Sequence, residues 1–133
     1  MRFIHVVPER PLANGSGAQL RAYALGRALS ALGEVVTVVV NEVFAAAGLR
    51  PVRAPSFIEA EFPVQVLNDI VSSASPVSGD VVVVEGVYLS ALAYRFAAAG
   101  VPVILDAHNV ESDLLRQTDL ARHAVLARLQ RHG

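Results

Sequence analysis

The chain has 133 residues, 53% of them hydrophobic, a net charge of −1 and no cysteine. That length buries a sizeable single core unaided, and the missing cysteines exclude disulfides, thiolate catalysis and cysteine-ligated metals. Near-neutral charge argues against a nucleic-acid partner, and the apolar runs fall far short of the roughly 20 residues of a membrane span.

The first segment, Arg2 to Val7, is a short apolar run with β-branched residues and reads as a strand. MRFIHVV is not followed by a small-residue cleavage site, so no signal peptide is expected and a cytoplasmic address is. PERPLANGSG is a turn-rich connection, and Ser16 with Gln19 has the spacing of a capping box that starts a helix. Leu20, Tyr23, Ala24, Leu25, Ala28, Leu29 and Leu32 form its predicted apolar stripe, with Gly33 as a left-handed stop. VVTVVV, Val35 to Val40, reads as a strand buried on both faces.

Residues 41–62 are predicted to be loop, with a helical turn over Phe44 to Gly48 and room for an extra edge strand in residues 50–62. Pro63 suits the first turn of a helix with Val66, Leu67, Ile70 and Val71 on one face, ending at SSASPVSG. Asp80 introduces the strand VVVVE. Tyr88 to Ala99 reads as a helix with Leu89, Leu92, Ala93 and Phe96 inward, closed by Gly100. Val101 to Leu105 is the last strand, and Val110 to Arg131 a long helix capped by Asn109, with Glu111 where the helix dipole favours an anion.

Strands alternating with helices predict an α/β fold, a doubly wound parallel sheet with helices on both faces and strand order 2-1-3-4. Sites in such sheets lie beyond the carboxyl ends of the strands. The segments meeting there are PERPLANGSG, Asn41-Glu42, Glu85 to Tyr88 and Asp106 to Asn109. Glu85, Asp106 and His108 end adjacent strands, where they can meet a ligand or merely tie down the turns. Imidazole supplies both a donor and an acceptor near neutral pH, which suits His108 to a sugar hydroxyl or to developing charge.

All eleven basic residues are arginine, so arginine and backbone N–H groups must handle any anion. Gly15-Ser16-Gly17 before a helix allows close approach of a phosphate. As a dinucleotide fingerprint the loop fails, because Leu20 occupies the third glycine position and the connection from Val7 is too long. No metal site is expected: His108 and Asp106 lack a second histidine at ligand spacing, and His5 belongs inside the first strand. Ser16 and Ser90 lack the nucleophile elbow of a serine hydrolase.

RPLANGSGAQLRAYALGRALSALGEVVTVVV, DVVVVEGVYLSALAYRF and VPVILDAHNVES, in this order and spacing, resemble the N-terminal half of retaining GT-B glycosyltransferases of the group-4-like family. The likeness spans nearly the whole chain and implies one Rossmann-like domain over residues 1–133, the acceptor-binding part of an enzyme moving a sugar from a nucleotide-sugar donor to an acceptor. It implies substrate-binding roles for Asn14, Gly15, Ser16, Gly17, Glu85, Asp106, Asn109 and Glu111, a catalytic role for His108, and no cofactor beyond the nucleotide sugar.

Two departures accompany the likeness. Gly33-Glu34-Val35 lacks the family's histidine at that point. The family's second domain, which holds most of the donor, has no counterpart in these residues, so a donor-domain partner chain and a catalytically silent isolated half are expected. Relative to that family the chain is C-terminally truncated, which would leave Val101 to Leu105 as an open edge and predicts a homodimer or domain swap. A non-catalytic binding or assembly module on the same sheet is the alternative.

Overall fold

The structure is a computed structural model and describes residues 1–52, 62–86 and 89–106. Among the described residues eight elements follow in chain order: β1 (Arg2–Val7), α1 (Gly17–Ser30), β2 (Glu34–Val39), α2 (Val40–Ala46), α3 (Val64–Ala74), β3 (Val81–Glu85), α4 (Ser90–Ala98) and β4 (Val103–Asp106). The strands form one all-parallel sheet of order β2-β1-β3-β4. The architecture is Rossmann-like α/β, as the alternation of elements predicts. The long helix over Val110 to Arg131, residues 53–61 of the candidate extra strand in 50–62, and Tyr88 at the start of the helix predicted over Tyr88 to Ala99 lie outside the described residues. Among the described residues no helix is long and apolar enough to cross a membrane.

One face of the sheet carries the main core. Ile4, Val6, Val38, Val82, Val84, Val103 and Leu105 meet Phe44 of α2, Ile70 of α3, and Leu92 and Phe96 of α4. Ile70, Leu89, Leu92 and Phe96 are fully buried, each a contribution of about 1.5–3 kcal/mol relative to exposure. The predicted inward faces of α3 and α4 are the observed ones. Gly100, at φ +85°, terminates α4 in the left-handed conformation its position in the sequence suggests.

Among the described residues the other face is covered by α1, over Phe3, Val83, Val7 and Val39. Its predicted stripe is shifted: Leu20 and Leu32 stand 48% and 72% exposed, while Ala22 and Leu29 are buried. The helix settles on the line Ala18, Ala22, Gly26, Leu29 because small residues let it approach the sheet. A Cβ on Gly26 would come 3.5 Å from His5 Nδ1.

Gly33 also differs from its expected role. Its φ is not positive, and the C-cap of α1 is Ala31 in ordinary right-handed geometry. What excludes a side chain is Met1, whose carbonyl a Cβ would strike while Glu34 N–H donates to that same carbonyl at 3.0 Å. β2 is an edge strand among the described residues, with Thr37 exposed and Val35 and Val36 half-buried. It is therefore not buried on both faces. The chain then passes directly from Val39 into α2, a fuller helix than the predicted turn. α3 likewise runs on through Ser72 and Ser73 before Ser75 turns left-handed at φ 46°.

The amino ends of β1 and β3 are clamped by Asp80. Its carboxylate accepts from Arg2 Nη2 at 2.7 Å and from Val77 N at 2.8 Å. The Arg2 hydrogen bond, aided by the Val77 amide, holds the Asp80 carboxyl below its ordinary range.

Candidate functional site

The parallel sheet brings the loop after β1, the start of α2, the Glu85-Gly86 turn and Asp106 to one edge, the carboxyl ends of the strands. The loop after β1 is an ordered structure held from two sides. Pro8 O accepts from Asn41 N at 3.0 Å, and Arg10 forms a 2.7 Å ion pair with Glu42, both exposed. The buried Asn41 side chain donates to Glu9 at 2.6 Å and to Val52 O at 2.8 Å, and accepts from Val52 N at 2.7 Å. Asn41 is thus a clamp joining the two connections, and its amide is occupied by them.

On the α1 side the capping box forms as its spacing predicts. Gln19 Oε1 accepts from Ser16 N at 3.0 Å, and Ser16 Oγ accepts from Gln19 N at 3.5 Å. Gln19 also donates to Arg10 O at 3.3 Å, and its backbone carbonyl accepts from Leu12 N at 3.2 Å. Gly15 is needed by this fold-back, because a Cβ there would lie 2.6 Å from Gln19 Oε1 and 2.7 Å from Gln19 Cβ. Gly17 is different. The nearest atom to its Cβ position is Arg21 Nη1 at 3.6 Å, so a small side chain there would make only ordinary contact.

Ser16 and Gln19 consume their own amides, and Leu20 N donates to Ser16 O. The Gly17 and Ala18 N–H groups then have no acceptor among the described residues, at the positive end of α1. Arg21 stands one turn further along the helix, exposed. Asn14 is exposed beside this loop.

Glu85 and Asp106 are register partners on β3 and β4, so their side chains leave the sheet on the same face. Asp106 is half-buried, and its carbonyl accepts from Gly86 N at 2.9 Å. Glu85 is buried, and its partner is His5, with Nε2 to Oε2 at 2.9 Å and side-chain exposures of 1% and 3%. His5 Nδ1 is buried without a hydrogen-bond partner, directly beneath Gly26 of α1. Sequence reasoning placed His5 inside β1 but missed the pair, which joins residues 80 apart in the chain. The available signal was a histidine alternating with aliphatics in a buried strand, since a buried polar group requires a partner.

His108, Asn109 and Glu111 lie outside the described residues. Among the described residues no group of three or more metal-ligating side chains comes together. No family model matches the chain, and no curated protein or solved structure matches it either.

Proposed function

We propose that this chain is the acceptor-binding, N-terminal unit of a glycosyltransferase that uses a nucleotide-sugar donor. The observation that carries the reading is that the Asn14–Gly17 loop and the strand ends bearing Glu85 and Asp106 lie toward the same carboxyl edge of one parallel sheet. The Gly17 and Ala18 amides and the Arg21 guanidinium suit a diphosphate, which needs donors and positive potential. Of the strand-end carboxylates, half-buried Asp106 suits a hydroxyl group, which needs an acceptor, while Glu85 is held behind it by His5. On this reading His108, two residues beyond Asp106, addresses the transferred sugar together with Asn109 and Glu111. The site is a half-pocket that needs a facing donor-binding unit, so the chain binds without transferring until such a unit is supplied.

The test is an amide and imidazole NMR titration with UDP- and GDP-sugars. Saturable shifts at Gly15, Ser16 and Gly17 and at the His108 ring are expected. Binding that leaves all four unmoved, or no binding to either sugar nucleotide, would overturn the reading.

A second reading, an assembly module, draws on Ile104. It is 39% exposed on β4, a terminal strand of the described sheet. A second copy pairing there would cover it.

A further inference from the structure

A second concave surface lies at the end of α2, and its walls follow from one local motif. α2 ends in a left-handed turn at Gly48, φ +74°, with Leu49 N donating to Phe44 O at 2.9 Å and Gly48 N to Ala45 O at 3.1 Å. This is a Schellman closure, and its hydrophobic contact sets Leu49 back against Phe44. Phe62 meets Phe44 edge to face, with ring centroids 5.2 Å apart at 78°. Phe44, Leu49, Arg50, Phe62 and Pro63 then line an open cleft of about 400 Å³. That volume falls in the range of small-molecule sites, which pair apolar walls with few polar groups.

Arg50 is the polar group. Arg2 and Arg10 are ion-paired, Arg27 donates to Tyr23 and Arg95 to Asn68. Among the described residues Arg50 meets no carboxylate or other acceptor, and it is exposed. Among the described residues the cleft thus presents aromatic and aliphatic walls with one guanidinium that no carboxylate neutralises.

We propose that this cleft binds small organic anions with an apolar body, an aryl or alkyl phosphate or carboxylate, the body seated on Phe44 and Phe62 and the anion paired to Arg50. The proposal is independent of the sugar-nucleotide reading, since none of its five residues belongs to the Asn14–Gly17 loop or to the Glu85 and Asp106 strand ends. A guanidinium offers a planar pair of donors to either headgroup, and the apolar floor discriminates against a bare inorganic ion.

The test titrates the full chain with phenyl phosphate, phenylacetate, benzyl alcohol and inorganic phosphate, reading the backbone amides of Leu49, Arg50 and Phe62. The two aryl anions are titrated separately to distinguish the headgroups, and saturable binding of either one is expected. Arg50→Gln should weaken that binding about ten-fold, the factor of one charge-assisted contact, with the amide spectrum elsewhere unchanged. Inorganic phosphate binding as tightly as the aryl anions would overturn the proposal, as would equal binding of benzyl alcohol, an Arg50→Gln variant of undiminished affinity, or no saturable shift with either anion. Sugar-nucleotide shifts at Gly15 to Gly17 report on the other site, so each reading can fail alone.

Discussion

Replacing Glu85 by leucine removes the one hydrogen-bond partner that, among the described residues, a histidine buried in the sheet has. His5 and Glu85 are 1% and 3% exposed in their side chains, and His5 Nδ1 already lacks a partner, so the substitution leaves the whole ring unsatisfied. Leaving a buried neutral polar group unpaired costs about 1–3 kcal/mol, whereas stranding one charge of a buried pair costs about 3–5 kcal/mol. The ranges meet near 3 kcal/mol, a large part of the roughly 5–15 kcal/mol that holds a domain folded.

With a urea dependence of about 2 kcal/mol per molar, the unfolding midpoint should fall by about 1.5 M. The assay is urea denaturation followed by far-UV circular dichroism, which suits a chain without tryptophan. Glu85→Gln, which keeps an acceptor for Nε2–H, should lose about 1 kcal/mol or less. The double variant His5→Leu/Glu85→Leu should recover most of the loss, because apolar replacement of both members of a buried pair is often neutral or better. If the single leucine substitutions each cost under about 1 kcal/mol and add in the double variant, the two residues are not an energetic unit and the reasoning fails.

Gly33→Ala should destabilise the chain by about 1–3 kcal/mol through overpacking, because its Cβ strikes the Met1 carbonyl; faster hydrogen exchange at the Glu34 amide is the local readout. Asp80, held below its ordinary value of 3.8 by the Arg2 hydrogen bond and then by the Val77 amide, stabilises the fold at pH values above the unfolded-state value. That contribution should disappear as pH falls from about 3.8 through the lower folded-state value, and Asp80→Asn should flatten the acid limb of a pH-dependent melting series. Ile104→Lys on the terminal strand should lower any concentration-dependent increase in apparent mass seen by light scattering, since an edge lysine resists pairing; an unchanged increase would remove β4 as the contact.

The strand order, the inward faces of α3 and α4 and the capping box at Ser16 were legible because their signals are short-range or follow from the handedness of crossovers. Ser16 and Gln19 are one helical turn apart, and Leu92, Ala93 and Phe96 share one face by helical spacing alone. The face of α1 was misjudged because Leu20 and Leu32 are as apolar as Leu29, and only the closeness of the sheet selects the line through Ala22 and Gly26. β2 looked doubly buried because six consecutive strand-forming residues give no sign of lying at the sheet's edge.

At the candidate site, the glycine loop and the strand-end carboxylates could be assigned to one edge from parallel topology. That Gly15 makes room for a folded-back glutamine while Gly17 lies only in ordinary contact range of Arg21 could not.

The amino-acid sequence by itself determined the alternation of elements, their caps and hence the parallel, doubly wound sheet, because each depends on residues within a turn or a strand of one another and on backbone handedness. Only the tertiary structure decided the company those residues keep: His5 beneath Gly26 and against Glu85, Gly33 against Met1, Asn41 between two connections, Arg50 beside two phenylalanines. Such contacts join residues up to 80 positions apart. They depend on which faces pack and how closely, quantities set by the sum of all side-chain volumes rather than by any local pattern.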